Sequence, residues 1–126
     1  MGDFAFGKVE DSYTILDQLK GQKVLITGNH DERHLKFQDF KNRFAAVKYG
    51  YHEIEVSFNG QVSMIVLCHY PLQSWNKARY GSFHFHGHVH NHPVQLPLAN
   101  MADVGIDTKA DLSLWEKNDI LLKLRP

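Results

Sequence analysis

Two runs of β-branched and aliphatic residues in this chain each break at a turn carrying potential metal ligands, and a third turn of the same kind follows later. Val24-Leu25-Ile26-Thr27 leads into Gly28-Asn29-His30-Asp31, and Val62-Ser63-Met64-Ile65-Val66-Leu67 leads into Cys68-His69-Tyr70-Pro71. The third stretch is Gly87-His88-Val89-His90. A strand that feeds a glycine or proline turn aims its last side chains out of a rigid sheet, which is where open α/β folds build sites. Imidazole nitrogen and carboxamide oxygen suit small divalent cations. A chain so punctuated is constrained to an architecture that gathers strand ends.

The length of 126 residues suits one domain, spanning 1–126, and 43% hydrophobic content fills one core. Fourteen basic residues balance fourteen acidic ones, so charge gives no case for nucleic-acid or membrane attraction. The nine histidines are the outlier, with His84, His86, His88, His90 and His92 alternating. This cluster is internal and spaced, unlike a purification tag. Cys68 is the only cysteine and sits in an apolar run, so it reads as a core thiol. The sequence shows no secretory signal and no membrane-length apolar run, which predicts a cytoplasmic protein.

Periodicity predicts a helix from about Asp11 to Lys20, capped by Asp11 or Ser12, with Tyr13, Ile15, Leu16 and Leu19 as its apolar stripe. A buried strand over Lys23–Thr27 follows, then a helix from about His34 to Arg43. Ile54, Val56 and Phe58 alternate with polar residues before Asn59-Gly60 turns the chain into Val62–Leu67. That hairpin wets one face of its first strand, and its apolar second strand is expected to be buried on both faces. Ser82–His86, Gln95–Met101 and Ile120–Leu124 read as further strands. Strands alternating with helices argue for an α/β fold.

Gly-Asn-His-Asp after a strand, a lone His after a later strand, and Gly-His-x-His resemble the calcineurin-like metallophosphoesterase family; Gly2-Asp3 matches its Gly-Asp element. The resemblance covers nearly the whole chain, with four motifs in order. It implies a two-sheet β-sandwich flanked by helices, with up to two divalent metals (Mn, Fe, Zn, Ni or Co) at the strand ends. It implies Asp3 as the bridging carboxylate, Asn29, His69 and His88 as further ligands of one metal, and His90 as a ligand of the other. His30 becomes the general acid, and Asp31 the group that holds its tautomer. Such a site hydrolyses a phosphomonoester or phosphodiester with a metal-activated water.

The family's first motif, Asp-x-His, is absent here, so the chain reads as the carboxyl-terminal majority of such a domain, lacking its first strand-helix-strand portion. Asp3, two residues from the start, is therefore expected to be poorly tied down. Weak or absent activity is expected unless another copy completes the open sheet edge as a homo-oligomer. The alternative is a catalytically impaired remnant that acts as a metal- or partner-binding module.

Blander roles are expected elsewhere. His84, His86 and His92 read as strand or surface residues near the site, and His34 and His52 as solvent-facing. Arg33 fits either a phosphate contact or a surface charge. Trp75, Lys77 and Arg79 read as a solvated loop with one packed tryptophan. Asp103 and Asp107 read as turn or surface hydrogen-bonding groups.

Overall fold

The Asn59-Gly60 turn organises the larger of two sheets in the computed structural model, which describes residues 1–94 and 98–124. In chain order the elements are α1 (Val9–Gln18), β1 (Val24–Ile26), α2 (Glu32–Leu35), α3 (Gln38–Lys41), β2 (Ala46–Lys48), β3 (His52–Phe58), β4 (Gln61–Leu67), β5 (Phe83–His86), β6 (Met101–Asp103) and α4 (Lys117–Leu124). Strands β1 and β2 pair in parallel, with Leu25 opposite Val47. The second sheet runs β3-β4-β5-β6. It is antiparallel across β3–β4 and parallel across its other two pairs. The chain is a mixed α/β protein with two sheets flanked by helices. No helix among the described residues is long and apolar enough to cross a membrane.

Asn59 (φ 49) and Gly60 (φ 76) both take the left-handed conformation that a two-residue hairpin turn requires. The register set there pairs Phe58 with Gln61. Ile54, Val56 and Phe58 consequently face a core of Ile65, Phe83, Phe85, Ile120 and Leu121, while Glu55 and Ser57 face water. Strand β4 is not buried throughout, contrary to expectation: Gln61 and Val62 are exposed (Val62 71%), Ser63, Ile65 and Val66 are buried, and Met64 and Leu67 are half-buried. Strand β5 has neighbours on both edges, and all four of its residues are buried. A second core joins α1 to the smaller sheet through Val9, Leu16, Leu25 and Phe40, with Phe4 and Phe44 packed on it.

Several expectations need correction. The terminal Ile120–Leu124 segment is helix α4, not a strand: Ile120, Leu121 and Leu124 meet the core while Leu122 is exposed. A five-residue segment with four apolar residues does not separate the two readings by itself. The helix expected over His34–Arg43 is two short helices, because Phe37 is extended between them. Helix α1 begins at Val9 after Lys8, with no side-chain cap, and leaves Ile15 and Leu19 substantially exposed. Of the strand expected over Gln95–Met101, only Met101 belongs to β6, and residues 95–97 lie outside those described. His34 is buried rather than solvent-facing, packed on Phe40 at 5.3 Å with its Nε2 3.3 Å from the Gly7 carbonyl.

His84 and His86 are also buried. His84 has three backbone neighbours: its Nδ1 lies 3.2 Å from the Val66 carbonyl, and its Nε2 lies 3.1 Å from the Leu72 amide and 3.2 Å from the Tyr70 carbonyl. A neutral ring with its hydrogen on Nδ1 donates to Val66 and accepts from the Leu72 amide. Burial, with the neighbouring His86 second among the lowering causes, holds the ring below the ordinary value of 6.5.

The sign follows from linkage. Above pH 6.5 the ring is neutral whether folded or unfolded and contributes no slope. Below it, the unfolded chain takes up a proton that the folded chain resists, so stability falls with acid until the folded ring also titrates. Urea titrations between about pH 7 and pH 5 are expected to show this loss, at most about 1.4 kcal/mol per pH unit from this group. His84→Gln, which does not titrate, is expected to lower stability at neutral pH and to flatten the acid slope.

Candidate metal centre

Parallel pairing puts the carboxyl ends of β4 and β5 side by side. Beyond them, the Gly87 amide donates to the His69 carbonyl at 3.0 Å and keeps the two exit turns adjacent. His69 and His88 therefore emerge together, one from each turn. Asn29 arrives from the turn after β1, in the other sheet. Asp3 arrives from the opening segment.

Four donor atoms meet there. His69 Nε2 lies 3.0 Å from Asn29 Oδ1, 3.1 Å from His88 Nδ1 and 3.3 Å from Asp3 Oδ2. His88 Nδ1 is 3.1 Å from Asn29 Oδ1. Ligands about 2.0–2.2 Å from one cation, at tetrahedral or octahedral angles, stand about 3.0–3.5 Å apart. The spacing fits.

Hydrogen positions sharpen the fit. His69 Nδ1 lies 2.8 Å from the Met1 carbonyl, which can only accept. The ring hydrogen of neutral His69 is thus on Nδ1, and Nε2 presents a lone pair. That lone pair faces a carboxamide oxygen and a carboxylate oxygen, neither of which donates. Acceptors held this close repel one another unless a cation sits among them. A main-chain carbonyl fixing the far nitrogen is also the usual support of a ligating imidazole. Tyr70 adds packing, with its ring edge-on to His69 at 5.1 Å and to His88 at 4.6 Å.

Asp3 is firmly held, contrary to the expectation from its place in the sequence. Asp31 is fully buried, and its carboxylate accepts the amides of Asp3 (2.8 Å), Phe4 (2.8 Å) and Gly28 (2.7 Å). The Asp3 carboxylate is divided in turn: Oδ1 accepts the His30 amide at 2.8 Å while Oδ2 faces His69. Glycine is required where the two segments touch. A Cβ on Gly28 would lie 2.6 Å from Asp3 N, and one on Gly2 (φ +75) would lie 2.6 Å from His69 Nδ1.

Three expected roles find different geometry. Asp31 does not meet the His30 ring; it binds backbone amides, as just described. His30 contributes its amide to the cluster, and its exposed ring leans on Phe6 with centroids 5.1 Å apart. His90 is not in the group that can share an ion with Asp3, and its Nδ1 is bonded to Asp107 Oδ2. That hydrogen bond, backed by the Asp107 charge, holds the exposed His90 above the ordinary histidine range.

Among the described residues, one group of three or more His, Cys, Asp or Glu ligands is close enough to share an ion, and it is Asp3, His69 and His88. Asp103 serves its turn as expected, accepting the amides of Asn91 (3.1 Å) and Gly105 (2.9 Å). Sequence reading missed the Met1 carbonyl and the bracing by Tyr70. The Tyr70 contact had a weak signal in its adjacency to His69, and the Met1 contact had none.

His88 (φ 69), His90 (φ 50) and Asn91 (φ 61) all hold left-handed backbone conformations that side chains disfavour. The Gly-His-x-His stretch is thus a strained turn. Strain of this kind concentrates at functional sites.

Fold and site together define a mixed α/β chain with one four-donor group able to hold a cation. Compared with models of protein families, with curated proteins and with solved structures, the chain finds no match.

Removing the Asp31 carboxylate would strand three backbone amides, each worth about 1–3 kcal/mol when buried without a partner. Asp31→Ala is expected to cost at least about 3 kcal/mol in urea unfolding. Asp31→Asn, which keeps one accepting oxygen, is expected to cost less.

Proposed function

We propose that the chain is a metal-dependent phosphoesterase of the calcineurin-like kind, acting on a phosphomonoester or phosphodiester. One observation carries the reading: four potential ligand atoms from Asp3, Asn29, His69 and His88 crowd together, and neutral His69, with its hydrogen turned to the Met1 carbonyl, points an Nε2 lone pair at the two oxygens. The four motifs that supply these residues, in the order and rough spacing of that family, support it. Two sheets with flanking helices are in keeping with the family's sandwich.

Asp3, Asn29, His69 and His88 would hold a divalent ion such as Mn, Fe, Zn, Ni or Co, since two nitrogens and two oxygens suit them all. Bound there, the ion supplies Lewis-acid activation of the ester and of the attacking water. The single negative charge of Asp3, set against a dication and neutral ligands, leaves the site positive towards a phosphate anion. Asp31 positions Asp3, and the Met1 carbonyl keeps the His69 Nε2 lone pair directed inward. His30, exposed at the rim beside Phe6, is the proton donor to the leaving oxygen, a role worth about 10²–10⁴-fold.

A binding module that holds a single ion is the second reading. It is favoured by the engagement of His90 with Asp107, which draws that imidazole away from a second metal.

Titration of metal-stripped protein with Mn²⁺ is expected to show uptake of at least one equivalent and a rise in Tm. His69→Ala and Asn29→Ala are expected to abolish both. Turnover of bis(4-nitrophenyl) phosphate or 4-nitrophenyl phosphate is expected in the loaded protein, lowered at least about 10²-fold by His30→Ala. Mn²⁺ uptake without turnover of either ester selects the binding module. No uptake, or uptake unchanged by His69→Ala, removes the metal centre altogether.

A further inference from the structure

The metal-ligand candidates Asp3, His69 and His88 stand in the wall of a cleft of about 510 Å³, a volume in the range of small-molecule sites. The rest of that wall is mostly apolar. Phe4 and Phe6 come from the opening segment, Ile15 from α1, Leu19 from just after it, and Ile106 and Leu114 from the segment after β6. Several of these side chains show large exposed fractions: Phe6 60%, Ile15 46%, Ile106 51% and Leu114 70%. Contiguous apolar surface around a few convergent polar groups marks a ligand groove. Exposure on this α1 face is also why Ile15 and Leu19 look like core residues in the sequence yet pack incompletely.

Charge narrows the ligand further. Among the described residues no lysine or arginine lines this cleft, and its ionisable groups are Asp3, Asp107, the histidines and the buried amino group of Met1. A nucleotide diphosphate or a nucleic-acid strand brings several negative charges that need cationic partners along the wall. One phosphate at the metal ligands and an apolar body along Phe4, Phe6, Ile15, Leu19, Ile106 and Leu114 matches what the wall offers.

We propose that this cleft is the substrate's leaving-group site, and that the substrate is the phosphate ester of an apolar alcohol carrying a medium-length alkyl or aryl group. The inference rests on the metal-centre reading above, and it adds the class of molecule that reading leaves open. Each methylene moved from water onto such a wall strengthens binding by up to about fourfold. Specificity therefore comes from chain length and not from polar contacts.

The test uses the Mn²⁺-loaded 126-residue chain titrated calorimetrically with methyl-, butyl- and octylphosphonate, after Mn²⁺ uptake alone has been measured. Affinity is expected to rise at least about tenfold from methyl to butyl and again from butyl to octyl. Leu114→Asp and Ile15→Asp alter exposed side chains. Each is expected to reduce the gain from methyl to octyl at least about fivefold while leaving Mn²⁺ uptake and methylphosphonate affinity unchanged. Equal affinity for the three phosphonates in protein that does take up Mn²⁺ overturns the apolar cleft and spares the metal centre. So does a chain-length gain indifferent to both substitutions. Failure to take up Mn²⁺ overturns the metal centre first, and the assignment of the cleft falls with it.

Discussion

A buried carboxylate at Asp31 carries much of this architecture. It stands at the head of α2, fully removed from water, and collects amides from two segments separated by more than twenty residues. A charge so placed is tolerable only because three donors surround it. Its bonds fasten the opening segment against the turn after β1, and that contact in turn aims Asp3. The glycines at positions 2 and 28 permit it, since backbone lies directly against backbone there.

From that clamp outward the site assembles by topology. The larger sheet provides two parallel strand ends, β4 and β5, whose exits run side by side and bring His69 and His88 into contact. The smaller sheet provides Asn29, which lies near them only because the two sheets share the rim closed by the opening segment. Burial holds His69 in the turn just beyond β4, whereas Asn29 and His88 are exposed and take their positions from turn backbone alone. Precision in the cluster therefore depends on turn geometry, including the left-handed backbone at His88.

The sequence made the larger sheet readable because its signals are local. Asn59-Gly60 sets its own turn type, and the alternation before it sets which side chains face inward. Asn29 and His69 were readable for the same reason, as each follows an apolar run, whereas Asp3 and His88 were readable only as members of a motif series. Long-range facts were not accessible. Nothing near Asp31 announces that its partners are amides of Asp3 and Phe4, and nothing near His34 announces a buried position against Phe40. Periodicity also fails over short apolar runs, which is why α4 reads as a strand until its contacts with Phe58, Phe83 and Phe85 are seen. The likeness to a phosphoesterase belongs to the motifs alone, and Asp107 shows the limit of motif transfer by occupying the imidazole that the pattern assigns to a metal.

The Met1 carbonyl against His69 has an unusual consequence for how this protein can vary. In many ligating histidines the far ring nitrogen is held by a carboxylate, which substitution can remove. Here the anchor belongs to the polypeptide itself, common to all twenty amino acids at that position. Evolution and mutagenesis alike can exchange the methionine side chain without touching it, and an alanine scan would pass over it in silence. Only a shift in chain path, or a chemical replacement of the peptide group, would release the ring.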